Sequence, residues 1–141
     1  MKQGIQTFLA EAGEAACYAL DIIRIAELHL GKELDALIEL DAGIINGYIY
    51  YNQNNSNDNR NFFVENPAAF LQMMTGAEWE VTKQSATYLP RQNEYVVDRW
   101  ERVKTGTVIG HFRLPDWDSL ANSKTVEYGT IVSKRVFRRK I

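Results

Sequence analysis

The apolar positions of the chain follow a helical period in its first half and an alternating one in its second. Residues 15–30 are apolar around most of a helical circumference, the pattern of a central, largely buried helix, and Gly31 supplies its stop. At about 3.6 residues per turn the dense apolar centre falls on Ala19, Ile22, Ile23, Ala26 and Leu30. Cys17 shares its face with Asp21 and Arg24, so the thiol is expected to point away from the middle of the core. Asp21 and Arg24, three residues apart, read as a pair on the helix surface. A shorter helix is expected over residues 5–12, interrupted by Gly13 and Glu14. Residues 33–45 predict a third, amphipathic helix that turns Leu34, Leu37, Ile38 and Ile45 toward a core. Asn66-Pro67 has the form of a cap followed by a first-turn proline, opening a helix over 68–75 that Gly76 ends.

Between these helices, residues 48–51 read as a short extended piece. The polar stretch at 52–61, rich in asparagine, reads as a surface loop, solvated or forming the rim of a cleft. It has one carboxylate, Asp58, and lacks the Gly and terminal Glu of a calcium loop. From Trp79 onward the pattern changes to extended segments at 79–82, 94–100, 107–114 and 130–138. Lys104-Thr105-Gly106 reads as a turn between two of them, and Glu127-Tyr128-Gly129 precedes the last. Helices first and strands second predict an α+β fold, with N-terminal helices packed on a C-terminal antiparallel sheet. No linker or internal repeat divides the sequence, so residues 1–141 are expected to form a single domain. The segregation of helices from strands, without a Gly-x-Gly-x-x-Gly or phosphate-loop motif, argues against a dinucleotide-binding fold.

Composition narrows the chemistry. The chain has 141 residues, 45% of them hydrophobic and 24% charged, which are ordinary globular proportions. Sixteen Lys and Arg against eighteen Asp and Glu leave a formal charge of −2. No global basic field is present to hold nucleic acid or an anionic membrane, and any such binding would have to be local. The basic C-terminus, Arg135 with Arg138, Arg139 and Lys140, reads as a solvated end. The single cysteine, Cys17, cannot close an internal disulfide, and with His29 and His111 as the two histidines the chain cannot furnish a structural zinc site. No cofactor or metal is expected. No apolar run is long enough to span a bilayer, and the first residues are broken by Gln6, Glu11 and Glu14 before any signal-peptide core forms. The chain reads as cytoplasmic and reduced. It carries no signature of oligomeric state.

Cys17 sits in the first turn of the central helix, where unpaired N–H groups and the helix dipole favour a thiolate, which is a nucleophile. A neighbouring imidazole would take and return its proton, and His111 is the better placed of the two. Strand alternation puts Ile109, His111 and Arg113 on one face and Val108, Phe112 and Leu114 on the other. Gly110 beside the histidine would let another backbone or a substrate come close. Asp116 and Asp118 are both available to orient the imidazole. Each residue also has a structural reading: an inert buried thiol, a hydrogen-bonded strand histidine, a Pro-Asp-Trp-Asp turn. The tryptophans Trp79, Trp100 and Trp117, with Tyr48, Tyr50 and Tyr51, read as core before cleft lining.

These residues, in the order helix-start Cys, strand His, then Asp, resemble the papain-like cysteine peptidase superfamily. The likeness is nearest to its small bacterial and phage members, such as the bacteriocin leader peptidases, and extends over most of the chain in layout. Glu14-Ala15-Ala16-Cys17-Tyr18-Ala19-Leu20 corresponds to the nucleophile helix and Gly110-His111-Phe112 to the histidine strand. Asp118-Ser119 stands where those relatives often carry Asp-Pro, and the segment from Tyr128 to Phe137 is similar to their closing strand. The resemblance implies a papain-like domain that hydrolyses a peptide or amide substrate with Cys17, His111 and Asp118 or Asp116. With the charge balance and the lack of a spanning run, no nucleic acid and no membrane is expected as partner. The superfamily usually places a Gln about six residues before the nucleophile to help hold the oxyanion, and this chain has Glu11, an acceptor where a donor is needed. Gln6 stands nearby in sequence, and the N–H of Cys17 is one further donor. A papain-like scaffold that binds a peptide or protein without hydrolysis, or a phage-associated structural component in which Cys17 only packs, are the alternative readings.

Overall fold

A computed structural model describes residues 13–119 and 129–141. The helix expected over residues 5–12, with Gln6 and Glu11, and the positions Glu127 and Tyr128 lie outside the described residues. The described residues are α+β: helices α1 (Cys17–Leu30), α2 (Ala36–Ile45) and α3 (Pro67–Thr75) precede a four-stranded antiparallel sheet. Its strands are β1 (Trp79–Ser85), β2 (Glu94–Lys104), β3 (Thr107–Arg113) and β4 (Thr130–Arg139), in the order β1-β4-β2-β3.

The helix ends follow local chemistry. A 3-10 turn at Gly13–Ala16 leads directly into α1, and Gly31, at φ 70°, closes it with an N–H bond to the Glu27 carbonyl. Asn66 caps α3 through the Ala69 N–H at 3.1 Å, and Gly76 ends that helix in the left-handed conformation. Helix α2 begins three residues later than its apolar pattern suggests, because the Asp35 carboxylate accepts the N–H groups of Leu37 and Ile38 and fixes the start at Ala36. The buried stripe of α2 differs from expectation. Ala36, Leu40 and Gly43 face the core, whereas Leu37, Ile38 and Ile45 are exposed. A helix lying close over an aromatic ring needs small residues at the contact, and the glycine and alanine win that face from the larger side chains.

Helix α1 is the centre of the core. Its Ala19, Leu20, Ile22, Ile23, Ile25 and Ala26 are fully buried and cluster with Phe70 and Leu71 of α3 and with Val97 and Phe137 of the sheet. Trp79 is core as well: its indole N–H donates to Thr75 Oγ1 at 2.9 Å, and His29 meets its ring edge-on. Strands β2 and β3 form a hairpin whose turn residues, Thr105 and Gly106, both have positive φ, the geometry that matches strand twist.

Gly43 marks the tightest helix contact. A Cβ there would lie 2.8 Å from both Ile49 Cδ1 and Phe70 Cε1. Gly43→Ala is expected to destabilise the fold by about 1–3 kcal/mol through overpacking, despite the better helix propensity of alanine. Chemical denaturation checks this; an unchanged or raised midpoint would contradict the packing.

Candidate active site

The site is assembled where the first turn of α1 meets the edge of the sheet. Strand β3 is an outermost strand of the described sheet, paired with β2 through Arg99↔Phe112 and Trp100↔His111. Its Phe112 N–H donates to Cys17 Sγ at 3.4 Å. The neighbouring side chain of α1, Tyr18, stacks on the Phe112 ring at 4.5 Å and 28°. One donor and one aromatic face of Phe112 therefore hold the first two residues of α1 against β3.

The carboxylate arrives by a tight reversal. Leu114 and Trp117 form an antiparallel bridge, with Leu114 N–H donating to the Trp117 carbonyl at 3.0 Å. Pro115 and Asp116 make the turn between them, the proline supplying the φ that its leading position requires. The chain then runs back along β3 and brings Asp118 to His111, where Oδ1 lies 2.9 Å from Nε2. The other carboxylate oxygen, Oδ2, is 3.8 Å from an Arg113 guanidinium nitrogen. Both members of the pair are buried, His111 at 4% exposure and Asp118 at 6%. Asp116 sits in the exposed turn, so of the two aspartates the sequence offers, Asp118 is the one that reaches the imidazole. An ionised carboxylate only accepts, so with Asp118 ionised a neutral ring would carry its proton on Nε2 and present Nδ1 as the acceptor.

Cys17 is more enclosed than its helix position suggests. It is 6% exposed, and burial pushes its thiol up to about 12, the Phe112 amide and the Arg99 guanidinium opposing that rise only in part. The thiolate expected from the helix N-terminus is therefore not the resting form at neutral pH: loss of solvent outweighs the dipole.

One turn below lies Asp21, which the sequence pairs with Arg24. The structure separates them. Arg24 bonds Glu27 at 3.3 Å, and the Asp21 carboxyl is fully buried with neither oxygen hydrogen-bonded. Burial holds its pKa well above the ordinary carboxylate range, Asp118 and Asp98 push it further, and Arg113 opposes them. A polar residue on the otherwise apolar helix was the available signal for this group, and a surface ion pair was the simpler explanation.

A cleft of about 960 Å³ opens beside Cys17. Tyr18, Phe62, Phe63 and Phe112 form its aromatic lining, and Lys83, Arg99 and Arg135 its cationic one. Gly110 and Phe112 face it, whereas His111 between them does not, as alternation along a strand dictates. The residues that follow the Asn-rich stretch contribute to the lining, in keeping with a cleft rim. That stretch is held by Asn52 N–H to Asn61 at 2.7 Å and by Asp58, which accepts from Tyr50 at 2.9 Å and from Arg60 at 3.1 Å. The sequence reading does not point to Arg99 or Lys83, and it assigns Arg135 to a solvated basic end; the structure puts all three in the cleft. A signal for Arg99 exists: Tyr95, Val97 and Arg99 alternate onto one face, so an arginine continues an apolar stripe.

Comparison of the chain with protein-family models, curated proteins and solved structures returns no match. Among the described residues no helix is long and apolar enough to cross a membrane. Nor, among those residues, does any group of three or more His, Cys, Asp and Glu side chains have the placement to hold a metal ion.

The state of Asp21 gives stability a defined pH dependence. An unfolded aspartate titrates near 3.9, whereas the folded carboxyl keeps its proton to higher pH. The folded state thus binds more protons above about pH 4, and stability falls as pH rises toward the folded pKa. Asp98, also raised, acts in the same direction. Asp21→Asn, close in volume and without a titration, is expected to be more stable than the native chain at pH 7.5, with a lead that shrinks toward pH 4. Urea midpoints at the two pH values measure this, and a constant difference would refute it.

Proposed function

We propose that the chain is a cysteine hydrolase of the papain-like type, cleaving a peptide or amide bond through an acyl-enzyme. The observation that carries this reading is the 2.9 Å bond from His111 Nε2 to Asp118, with Cys17 Sγ held on the amide of the very next residue, Phe112. Asp118 fixes the imidazole tautomer, so His111 Nδ1 is the atom that receives the thiol proton. The resting thiol is neutral, and proton transfer accompanies attack rather than preceding it. Sγ bonds to the substrate carbonyl carbon, whose oxygen takes the electron pair. The tetrahedral centre then collapses, the C–N bond breaks, and the amine leaves with the proton from His111. A water molecule, deprotonated by the same nitrogen, attacks the thioester; the acid is released and the thiol regains its proton.

A papain-like scaffold that binds peptides without cleaving them is the second reading, favoured by one observation, the burial that pushes Cys17 up to about 12. Turnover of a mixed fluorogenic peptide library separates the two. For a hydrolase, Cys17→Ala abolishes turnover and His111→Ala lowers kcat/KM by about 100- to 10,000-fold. Asp118→Asn retains more activity than Asp118→Ala, because its amide oxygen still accepts the Nε2 proton. Turnover that survives Cys17→Ala would overturn the assignment, and peptide binding with no turnover in the native chain would establish the second reading.

A further inference from the structure

The net charge of the chain is negative, yet the cleft beside Cys17 has the opposite sign. Among the described residues its lining carries Lys83, Arg99 and Arg135 against a single carboxylate, Glu101. Glu101 is committed to Arg99, at 3.5 Å. Among the described residues Lys83 and Arg135 have no ion-pair partner, although they are direct cross-strand neighbours on β1 and β4. Like charges placed opposite each other on adjacent strands destabilise a sheet. An anion between them would relieve this repulsion.

The two arginines are also held in place. Arg99 lies over one ring, that of Phe112, at 4.6 Å, and Arg135 over the same ring at 5.4 Å. Arg135 is further fixed by a 2.8 Å bond to Ser133 Oγ. Gly110 completes the seat: a Cβ at that position would run into the Arg99 guanidinium. The glycine that the sequence offers as a gap for a backbone or substrate is filled by the arginine. Arg99 also acts on Cys17 electrostatically, opposing the effect of burial on the thiol, so the positive end of the cleft and the candidate nucleophile are within each other's field.

We propose that this cleft recognises peptides bearing side-chain carboxylates, with Arg99, Arg135 and Lys83 as counter-charges and the aromatic wall of Phe62 and Phe63 covering the neighbouring apolar residues. Its volume suits a few peptide residues rather than a folded domain. The inference rests on the proposed hydrolase only for where the carboxylate stands relative to the scissile bond; the charge preference is a property of binding.

The test uses the Cys17→Ala chain, in which no turnover intervenes, and three dansylated hexapeptides: Gly-Ala-Glu-Glu-Ala-Gly and its Lys-Lys and Ala-Ala counterparts. Fluorescence titration is expected to give at least about a tenfold tighter Kd for the acidic peptide than for either other, weakening as salt screens the charges. Arg135→Gln with Lys83→Gln removes the preference. Gly110→Ala, which displaces Arg99 and keeps every charge, reduces it. Equal affinities for the three peptides would overturn the proposal even if the variants failed to fold. So would a preference that survives Arg135→Gln with Lys83→Gln, or an oligothymidylate that binds more tightly than the acidic peptide. If the native chain turns over no peptide but its Cys17→Ala form keeps the acidic preference, the hydrolase fails and the subsite stands. With intact turnover and flat affinities, the hydrolase stands and the subsite fails.

Discussion

The seating of the first turn of α1 on the edge of β3 is the contact from which both the core and the site follow. An edge strand presents outward N–H groups that must find a partner, and the Phe112 N–H finds the Cys17 sulfur. Tyr18 stacks on the Phe112 ring and approaches Phe137 at 6.2 Å, so the same turn is anchored to the outer strand and to β4. With its start fixed, α1 runs its apolar faces between α3 and the sheet, and Cys17 is carried to the one place where it meets both His111's strand and the cleft. Glu27 then bonds the Leu34 N–H at 2.9 Å and ties the chain leaving the helix back to it.

This seating has an electrostatic consequence. It drives Asp21 into the interior near Asp118 and Asp98, and three carboxyl groups around one arginine cannot all be ionised at low cost. The fold resolves the conflict unequally. Asp118 has two basic neighbours, His111 and Arg113, whereas Asp21 has no hydrogen-bond partner and retains its proton. An ionised Asp21 raises the Cys17 thiol further, so a protonated Asp21 leaves the thiol one opposing charge fewer.

Helix and strand positions were largely legible because period and capping residues agreed: Gly31, Asn66, Gly76 and Thr105-Gly106 each do locally what their chemistry predicts. The buried face of α2 was not. Apolar size suggested Leu37, Ile38 and Ile45, but the contact with Phe70 selects by fit, and fit depends on a partner far along the chain. The His111–Asp118 pair was legible to within a choice of two aspartates, since the turn that excludes Asp116 is written in Leu-Pro-Asp-Trp. The protonation of Cys17 was not, because helix position is local while burial depends on the strand that covers it. The cationic cleft escaped for the same reason: Lys83, Arg99 and Arg135 come from three strands, and net charge averages over the surface that separates them.

Several departures from local consistency lie at or beneath the cleft. Lys83 opposite Arg135, an unpartnered Asp21, and Phe62 with a φ of 71° are each unfavourable by themselves. Lys83, Arg135 and Phe62 line the cleft, and Asp21 lies one helical turn beneath Cys17, which also lines it. Others lie apart from it, such as Asn93 with a φ of 69° and the buried Arg24 Nε without a hydrogen bond, whereas Thr75 satisfies the Trp79 indole, Asp35 and Asn66 cap their helices, and Arg138 pairs with Glu80 at 3.0 Å. Each departure costs folding free energy by itself, and the packed core around α1, Phe70 and Phe137 supplies the stability that tolerates them.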